Sequence, residues 1–364
     1  MSTGLEQEYQ TLHEFVKEAK LKLNAYIWDY LVGATETETT MRRNRRALDA
    51  IALRPRVLRD VSDIDASSTF LGKRLRLPVM LAPIGSLESF EPGGGSTVAR
   101  AAERFGVPML VSSVSTLGIE TVGKAAGGFK IFQLYVRGDD SWIDDRVKRA
   151  VDSGYDAFCI TVDTAVYSRR ERDIAKRFNK SWRSNLTGTE FQAGLSWKNV
   201  AHFKKTHKVP LILKGIATAE DARIAIEHGV DVVYVSNHGG RQLDHGRGSM
   251  DVLPEVLEAV GGHAKVVVDG GISRGTDVVK AIAMGADAVA IGRLFCYALA
   301  AAGEDGVVRL LEILEDEIKS ALGLLGAPKL SDLDHSFLHK GAPDVADPRV
   351  HSAFPLLNLD DQGY

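Results

Sequence analysis

The chain has 364 residues, a formal net charge of −3, 45% hydrophobic residues and 26% charged residues. These values are ordinary for a soluble globular protein and do not favour nucleic acid as a partner. Two cysteines are too few to indicate a disulfide framework or a zinc cluster, so no metal site is predicted. The polar N-terminus and the absence of any run of about 18 apolar residues predict neither a secretory signal nor a membrane segment. We therefore expect a cytoplasmic protein.

Residues 1–76 predict a helical segment that precedes the main domain. Apolar residues three and four apart predict one helix over Leu5–Val32, ending at Gly33. A second helix is predicted over Thr39–Leu53, and its basic residues are typical of a solvated face: Arg42, Arg43, Arg45 and Arg46. Residues 54–71 show no clear period and predict an irregular segment with one hairpin strand.

Residues 77–325 alternate short apolar runs with longer amphipathic segments. The apolar runs are Val79–Ala82, Pro108–Ser112, Ile131–Val136, Ala157–Val162, Pro210–Lys214, Val232–Ser236, Lys265–Asp269 and Ala288–Gly292. Helical period marks segments between them, among them Trp142–Asp152, Thr218–Glu227, Met250–Val260 and Thr276–Met284. Eight strands that alternate with helices predict the α/β class and a (βα)8 TIM barrel. A helix over Glu304–Leu325 would close it, and residues 326–364 predict an extended C-terminal tail of the same single domain.

The exit of the sixth predicted strand carries the densest group of functional side chains. Ser236-Asn237-His238-Gly239-Gly240-Arg241 follows the β-branched run that ends at Val235. Catalytic residues of such barrels lie where the strands end. A histidine can accept a proton near neutral pH, and an arginine offers a fork of donors to a carboxylate. This pattern predicts a base and an anion clamp for one small acid, although a lone loop histidine is more often structural.

The seventh and eighth strand exits favour a phosphate site. Asp269-Gly270-Gly271 leads into a predicted helix, and Gly292-Arg293 follows the last strand. Glycine lets the backbone approach a ligand closely, and amides at a helix N-terminus bind phosphate. The alternative is that the two glycines only form a tight turn.

These residues together resemble the FMN-dependent α-hydroxy acid oxidase and dehydrogenase family. The resemblance runs from Trp28 to about Gly323, and the string Ser236–Asp244 is the most specific part of it. Further matching strings are Arg54–Asp60, Ala82–Gly85, Phe132–Tyr135, Thr161–Asp163, Arg169–Asp173, Leu213–Ile216, Asp269–Ile272 and Ile291–Arg293.

The resemblance implies a role for each matching residue. His238 would be the base, Asp163 would stabilise the imidazolium, and Lys214 would stabilise negative charge on reduced FMN. Tyr30, Tyr135, Arg170 and Arg241 would bind the substrate, whose side chain would contact Val114. The FMN itself would be held by Pro83, Ile84, Gly85, Ser112, Gln133, Thr161, Lys214, Ser236, Asp269, Gly270, Gly271, Ile272, Ser273, Gly292 and Arg293.

The resemblance also implies the reaction. An (S)-2-hydroxy acid would be oxidised to the 2-oxo acid, with O2 as the simplest electron acceptor and hydrogen peroxide as its product. Gly85 beside the flavin leaves a quinone or a carrier protein as an alternative acceptor. Both a carbanion route and direct hydride transfer would use His238.

Departures from the family pattern bear on the substrate. Val114 stands where glycolate-oxidising members have Trp, so the pocket should be wider and suited to aromatic or long-chain acids. Ile84 stands where many relatives have Thr, and Leu87, Glu88 and Phe90 replace the usual residues of that loop. Ser273 stands where the family often has Arg, which leaves more of the phosphate binding to Arg293 and to backbone amides.

Two further expectations follow from the resemblance. Residues 179–198 are short and polar where membrane-bound mandelate dehydrogenases carry a long apolar insertion, so we expect a lid without a membrane anchor. Tails like residues 326–364 wrap neighbouring subunits in this family, which implies a homo-oligomer, a tetramer or an octamer.

Two other function classes stay open at this point. One is an FMN barrel without net redox chemistry, such as an isomerase, which would not be reduced by a 2-hydroxy acid. The other is a phosphate-binding barrel or a non-catalytic scaffold, and a colourless purified protein would favour it.

Overall fold

The computed structural model describes residues 4–177, 187–341 and 353–354. Eight parallel strands form a closed barrel in which the last strand pairs with the first, Val289 opposite Val79. The predicted (βα)8 fold is therefore confirmed, and each predicted strand is found to within about two residues. The barrel strands are Val79–Leu81, Met109–Ser112, Lys130–Leu134, Ala157–Thr161, Leu211–Ile216, Val232–Val235, Lys265–Val268 and Ala288–Ile291.

Helices follow the barrel strands and form the outer layer. In chain order they are Gly94–Phe105, Gly118–Ala125, Asp140–Asp152, Glu171–Ala175, Thr189–Ala193, Trp197–Thr206, Ala219–Glu227, Ser249–Val260, Gly275–Met284 and Arg293–Leu325. The last one bends at Ala302 and Gly303, so the predicted segment Glu304–Leu325 forms its second part. Short 3-10 turns lie at Leu87–Ser89, His238–Gly240, Leu330–Asp332 and His335–Phe337.

The interior of the barrel is filled by apolar side chains, and the polar side chains lie at the end where the strands finish. Alternate strand residues such as Met80, Ile212 and Tyr234 fill it, each 1% exposed or less. A hairpin of Ser68–Phe70 and Lys73–Leu75 adds Phe70 and Leu75 to this cluster and closes the end where the strands begin. Functional side chains are therefore expected where the strands end.

The N-terminal segment differs from its prediction. The single helix expected over Leu5–Val32 is three helices: Leu5–Glu8, Leu12–Lys22 and Ala25–Val32. Thr11 and Glu14 form a capping box at the second, and the Asn24 side chain accepts from the backbone N–H groups of Tyr26 and Ile27 at the third. The prediction was wrong because these caps end one helix and begin the next within a continuous apolar period.

The second predicted helix, Thr39–Leu53, is shorter than expected. It ends at Asp49, and Ile51–Leu53 then pairs antiparallel with Leu338–Lys340 of the C-terminal tail. Its basic face is also not wholly solvated, because Arg45 is only 5% exposed. The Arg45 guanidinium donates two hydrogen bonds of 2.8 Å to the Asp277 carboxylate and further bonds to Asp49. A local sequence pattern cannot reveal a partner that lies 232 residues away.

The two remaining expectations concern the lid and the tail. Most of the tail beyond Gly341, and residues 179–186 of the expected lid, lie outside the described residues. In the ranges that the structure describes, no helix is both long enough and apolar enough to cross a membrane.

Candidate active site

The predicted base His238 lies directly above the end of the sixth strand. It has φ +60°, in the left-handed region that non-glycine residues rarely adopt, and Gly239 and Gly240 follow at +63° and +76°. A side chain at position 240 would place its Cβ 2.5 Å from the Met41 backbone nitrogen, so only glycine fits there. This tight turn aims the imidazole across the barrel mouth, a strained geometry that is common at functional sites.

His238 lies between a carboxylate and a phenol. Its Nδ1 is 3.1 and 3.3 Å from the two oxygens of Asp163, and its Nε2 is 3.2 Å from the Tyr135 hydroxyl. The side chains of His238 and Asp163 are only 15% and 13% exposed. Nδ1–H therefore faces the carboxylate, and Nε2 is the atom directed towards a substrate.

The electrostatics keep His238 neutral and Asp163 ionised. Burial and then the positive charge of Lys214 lower the pKa of His238, against the opposing effect of Asp163. Burial on its own would raise the pKa of Asp163, but its interaction with the hydrogen-bonded His238 imidazole and the positive charge of Lys214 hold that pKa below its usual value. A neutral imidazole backed by a carboxylate is ready to accept a proton.

Two guanidinium groups, those of Arg241 and Arg170, face the same space. Arg241 donates hydrogen bonds of 2.8 and 2.7 Å to the carbonyls of Tyr30 and Gly33, and it stacks over the Tyr30 ring. Burial, followed by the positive charge of Arg170, lowers the pKa of Arg241 to about 9. No carboxylate of the described ranges lies within 4.0 Å of either guanidinium. A bound anion would remove this penalty, so the pair suits a substrate carboxylate.

A second polar network lies deeper in the barrel. Lys214 donates a 3.0 Å hydrogen bond to the Ser236 hydroxyl, which donates in turn to Asp269 at 2.7 Å. Gln133 donates to the Thr161 hydroxyl at 2.8 Å, but its buried Oε1 has no hydrogen-bond partner among the described residues. A buried acceptor without a partner is unfavourable, so this arrangement favours a ligand that donates a hydrogen bond here.

One cavity of about 520 Å³ joins these groups. Its size lies within the range of about 300–1,000 Å³ that is typical of ligand and cofactor sites. It is lined by most of the predicted residues: Tyr30, Pro83, Ile84, Gly85, Val114, Tyr135, Arg170, Lys214, His238, Arg241, Asp269, Gly270, Gly271, Ile272, Ser273, Gly292 and Arg293. The remaining predicted residues are joined to this lining by hydrogen bonds, directly or, for Gln133, through Thr161: Ser112, Gln133, Thr161, Asp163 and Ser236.

Comparison with known proteins identifies the family. The profile of the family described as FMN-dependent dehydrogenase matches residues 19–340. The chain belongs to the FMN-dependent dehydrogenase family. It is 38% identical to glycolate oxidase 1 of Oryza sativa subsp. indica, over 96% of this chain and 100% of that one. It is 37% identical to the L-lactate oxidase of a Nostoc strain, over 90% of this chain and 97% of that one. A solved structure of mandelate oxidase superposes with a TM-score of 0.85 at 38% identity, covering 93% of this chain and 100% of that one.

Membership of the FMN-dependent dehydrogenase family confirms the predicted cofactor and enzyme class. The cofactor is FMN, and the chain is an oxidoreductase that acts on the CH–OH group of 2-hydroxy acids. The residues present fit this cofactor, because the buried Gln133 Oε1 requires a donor and the Lys214 ammonium places a positive charge in the cavity wall. The two other function classes considered above are thereby set aside.

At the predicted phosphate end of the cavity, the Arg293 side chain and two backbone N–H groups already form hydrogen bonds within the protein. The Arg293 guanidinium donates to the carbonyls of Leu31, Gly239 and Gly33, at 3.1, 3.0 and 2.8 Å. The backbone N–H groups of Ser273 and Arg274 donate to the Asp277 carboxylate. A phosphate contact by Arg293 stays a prediction, and it would use the two of the five guanidinium N–H groups that these three bonds do not occupy.

Sequence reasoning missed several residues of the cavity wall. Asn44 lines the cavity, and it exchanges side-chain hydrogen bonds of 2.9 and 2.7 Å with Asn237, which attach the helix Thr39–Asp49 to the sixth strand exit. Gln192, only 3% exposed, accepts from the Val136 backbone N–H at 2.6 Å and donates to the Thr161 carbonyl at 2.9 Å. Asn44 could have been noticed, because it is a polar residue at helical spacing between the apolar residues Met41 and Leu48. The sequence around Gln192 contains no comparable signal.

Proposed function

We propose that this enzyme oxidises an (S)-2-hydroxy acid with an aromatic or long aliphatic side chain to the 2-oxo acid and passes the electrons to O2, giving hydrogen peroxide. The observation that carries this proposal is the composition of the cavity beside the base. The His238 imidazole and the guanidinium groups of Arg170 and Arg241 share one cavity with the apolar side chains of Val114 and Phe90. The first set suits a hydroxy acid head, and the second suits a bulky apolar tail.

The small side chain of Val114 supports the proposal that the substrate is large. Its Cβ lies 3.1 Å from the point where a side chain at position 85 would begin, so Gly85 and Val114 are in close contact. A large ring at position 114 would project into the cavity and fill the space that a phenyl or alkyl group needs. The small residue therefore favours large acids over glycolate.

The chain's own residues account for the handling of the proton. Arg241 and Arg170 would bind the substrate carboxylate, and the Tyr135 hydroxyl would donate to the substrate oxygen next to Nε2 of His238. His238 would take one proton from the substrate, and Asp163 would stabilise the resulting imidazolium across the 3.1 Å contact. FMN, when bound, supplies the acceptor for the two electrons and the second hydrogen, so that one 2-hydroxy acid yields one 2-oxo acid.

The relatives support the stereochemistry and the acceptor. A mandelate oxidase variant has been solved with (S)-mandelic acid, and the similar chains named above are all oxidases. A dehydrogenase that transfers electrons to a quinone or a carrier protein is the second candidate, favoured only by the small Gly85 in the cavity wall.

An anaerobic flavin spectrum tests the proposal. The purified enzyme would be mixed in turn with (S)-mandelate, (S)-2-hydroxyoctanoate, (S)-lactate and glycolate, and the flavin band would be followed. We expect the two larger acids to bleach it fastest, and Val114→Trp to reverse that order. Readmission of air should restore the band and release hydrogen peroxide. Fastest bleaching by glycolate would refute the substrate class, and slow reoxidation would favour the dehydrogenase.

We also propose that the enzyme is a cytoplasmic homo-oligomer, a tetramer or an octamer. The proposal rests on the family resemblance of the tail. Light scattering on the purified protein would give the subunit number, and a monomer would contradict it.

A further inference from the structure

The cavity wall contains a further arginine that the reaction does not use. Arg137 lies two residues beyond Tyr135, and both side chains line the cavity while Val136 between them is buried. Tyr135 marks the reacting end of the substrate through its contact with His238. The third barrel strand ends at Leu134, so Tyr135 and Arg137 both belong to the loop at its exit. Arg137 therefore lines the same cavity as Tyr135, two residues further from the strand end.

The Arg137 charge is poorly compensated. Among the residues that the structure describes, its guanidinium makes one hydrogen bond, of 3.0 Å, to the carbonyl of its own neighbour Val136. Among the described residues, no carboxylate oxygen lies within 4.0 Å of it. The side chain is half-buried, and burial lowers the pKa of Arg137. A charge that has lost water without gaining an anion favours an anionic ligand.

The wall around Arg137 is fixed rather than loose. Gly188 packs so closely that a Cβ on it would lie 2.4 Å from the Arg137 carbonyl oxygen, and its φ of +72° suits glycine alone. Gln192, four residues on, is hydrogen-bonded to Val136 and Thr161 on the third and fourth strand exits. These contacts hold the helix Thr189–Ala193 against the backbone of Arg137, so the side chain starts from a fixed position on the rim.

We propose that Arg137 forms a subsite for a terminal anionic group on the substrate side chain, so that 2-hydroxy acids with a second, distal carboxylate are preferred over uncharged acids of the same length. The inference rests on the proposed function for the position of the first carboxylate at Arg170 and Arg241. A phenyl ring or a chain of a few methylenes would span the apolar space between the two carboxylates.

The negative charge of Glu190 would repel an anionic group bound at this subsite. It lies on the same rim and raises the pKa of Arg137 through its charge, but no oxygen of Glu190 is within 4.0 Å of the guanidinium. The Glu190 side chain is exposed, so water screens it more than it screens Arg137. Removing its charge should strengthen binding of a distal anion.

Matched acids test the subsite through rates. The ratio of kcat/KM for (S)-2-hydroxyadipate over (S)-2-hydroxyhexanoate, and for 4-carboxymandelate over mandelate, would be measured in the FMN-loaded enzyme. We expect ratios above one that fall about tenfold or more in Arg137→Gln. Arg137→Lys should retain most of the preference, and Glu190→Gln should increase it. Arg74→Gln, an exposed arginine at the opposite end of the barrel, is the control and should change neither ratio.

Calorimetry with unreactive acids separates this inference from the proposed function. Adipate should bind the FMN-loaded enzyme more tightly than hexanoate, and Arg137→Gln should abolish the difference. If no hydroxy acid bleaches the flavin but adipate binding still depends on Arg137, the proposed function fails and the subsite stands. Equal binding of the two acids by the wild-type enzyme, or ratios that Arg137→Gln leaves unchanged, would overturn the subsite even if mandelate is oxidised.

Discussion

Asp163→Asn isolates the charge that supports the catalytic base. Asn is nearly the same shape, and its side-chain oxygen can still accept from Nδ1 of His238, so the hydrogen bond is kept while the negative charge is lost. The imidazolium that forms in the transition state then has no counter-charge at about 4 Å. At an effective dielectric constant of about 20, that interaction is worth about 4 kcal/mol. We expect the rate constant of anaerobic flavin reduction to fall by about 10²–10³-fold.

Stopped-flow absorbance with a saturating 2-hydroxy acid measures this rate constant directly. Asp231→Asn is a suitable control, because Asp231 is also partly buried and paired, with Lys204, but lies where the sixth strand begins. The control should reduce its flavin at the wild-type rate. A rate constant for Asp163→Asn within about tenfold of wild type would refute the role assigned to the carboxylate.

Three further predictions concern the clamp, the fold and the pH profile. Arg241→Lys should raise the Kd for the substrate far more than it changes the limiting rate of flavin reduction, because an ammonium cannot provide two parallel donors. An unchanged Kd in a titration would show that Arg241 does not bind the substrate carboxylate. Arg45→Met should lower the free energy of unfolding, measured by urea titration, by about 3–5 kcal/mol, because it leaves the Asp277 carboxylate, 2% exposed, without its counter-ion. A loss below about 1 kcal/mol would mean that the pair is not buried in solution. Burial lowers the pKa of His238 below 6.5, and the neutral imidazole is the active form. The value of kcat/KM should therefore rise with pH through a pKa below 6.5 and then level off. A rise in kcat/KM with its midpoint above pH 6.5 would contradict a neutral base.

The barrel could be predicted because each of its signals is local. Short β-branched runs such as Val232–Val235 and Lys265–Val268 are buried on both faces, and the helices between them keep a regular apolar period. Polar residues at the strand ends then predicted a candidate site, and the fold brings most of them to one cavity. The caps at Thr11 and Asn24 were also local signals, and the continuous apolar period concealed them.

The parts that sequence could not predict depend on contacts between distant segments. The pairs Arg45–Asp277 and Asn44–Asn237 join positions that lie 232 and 193 residues apart. Gln192 and Arg137 lie on segments whose path is set by packing against other strands rather than by their own sequence. Arg293 shows the same limit, because its partners are backbone carbonyls that no side-chain pattern reveals.

Anaerobic reduction of the His238→Ala enzyme tests the central claim most directly. Wild-type protein and the variant would each be loaded with FMN, their flavin content checked by absorbance, and then mixed with (S)-mandelate in a stopped-flow instrument. We predict equal FMN content and a reduction rate about 10²–10⁴-fold slower in the variant, which is the usual contribution of a general base. Equal reduction rates in the two proteins would show that His238 is not the base.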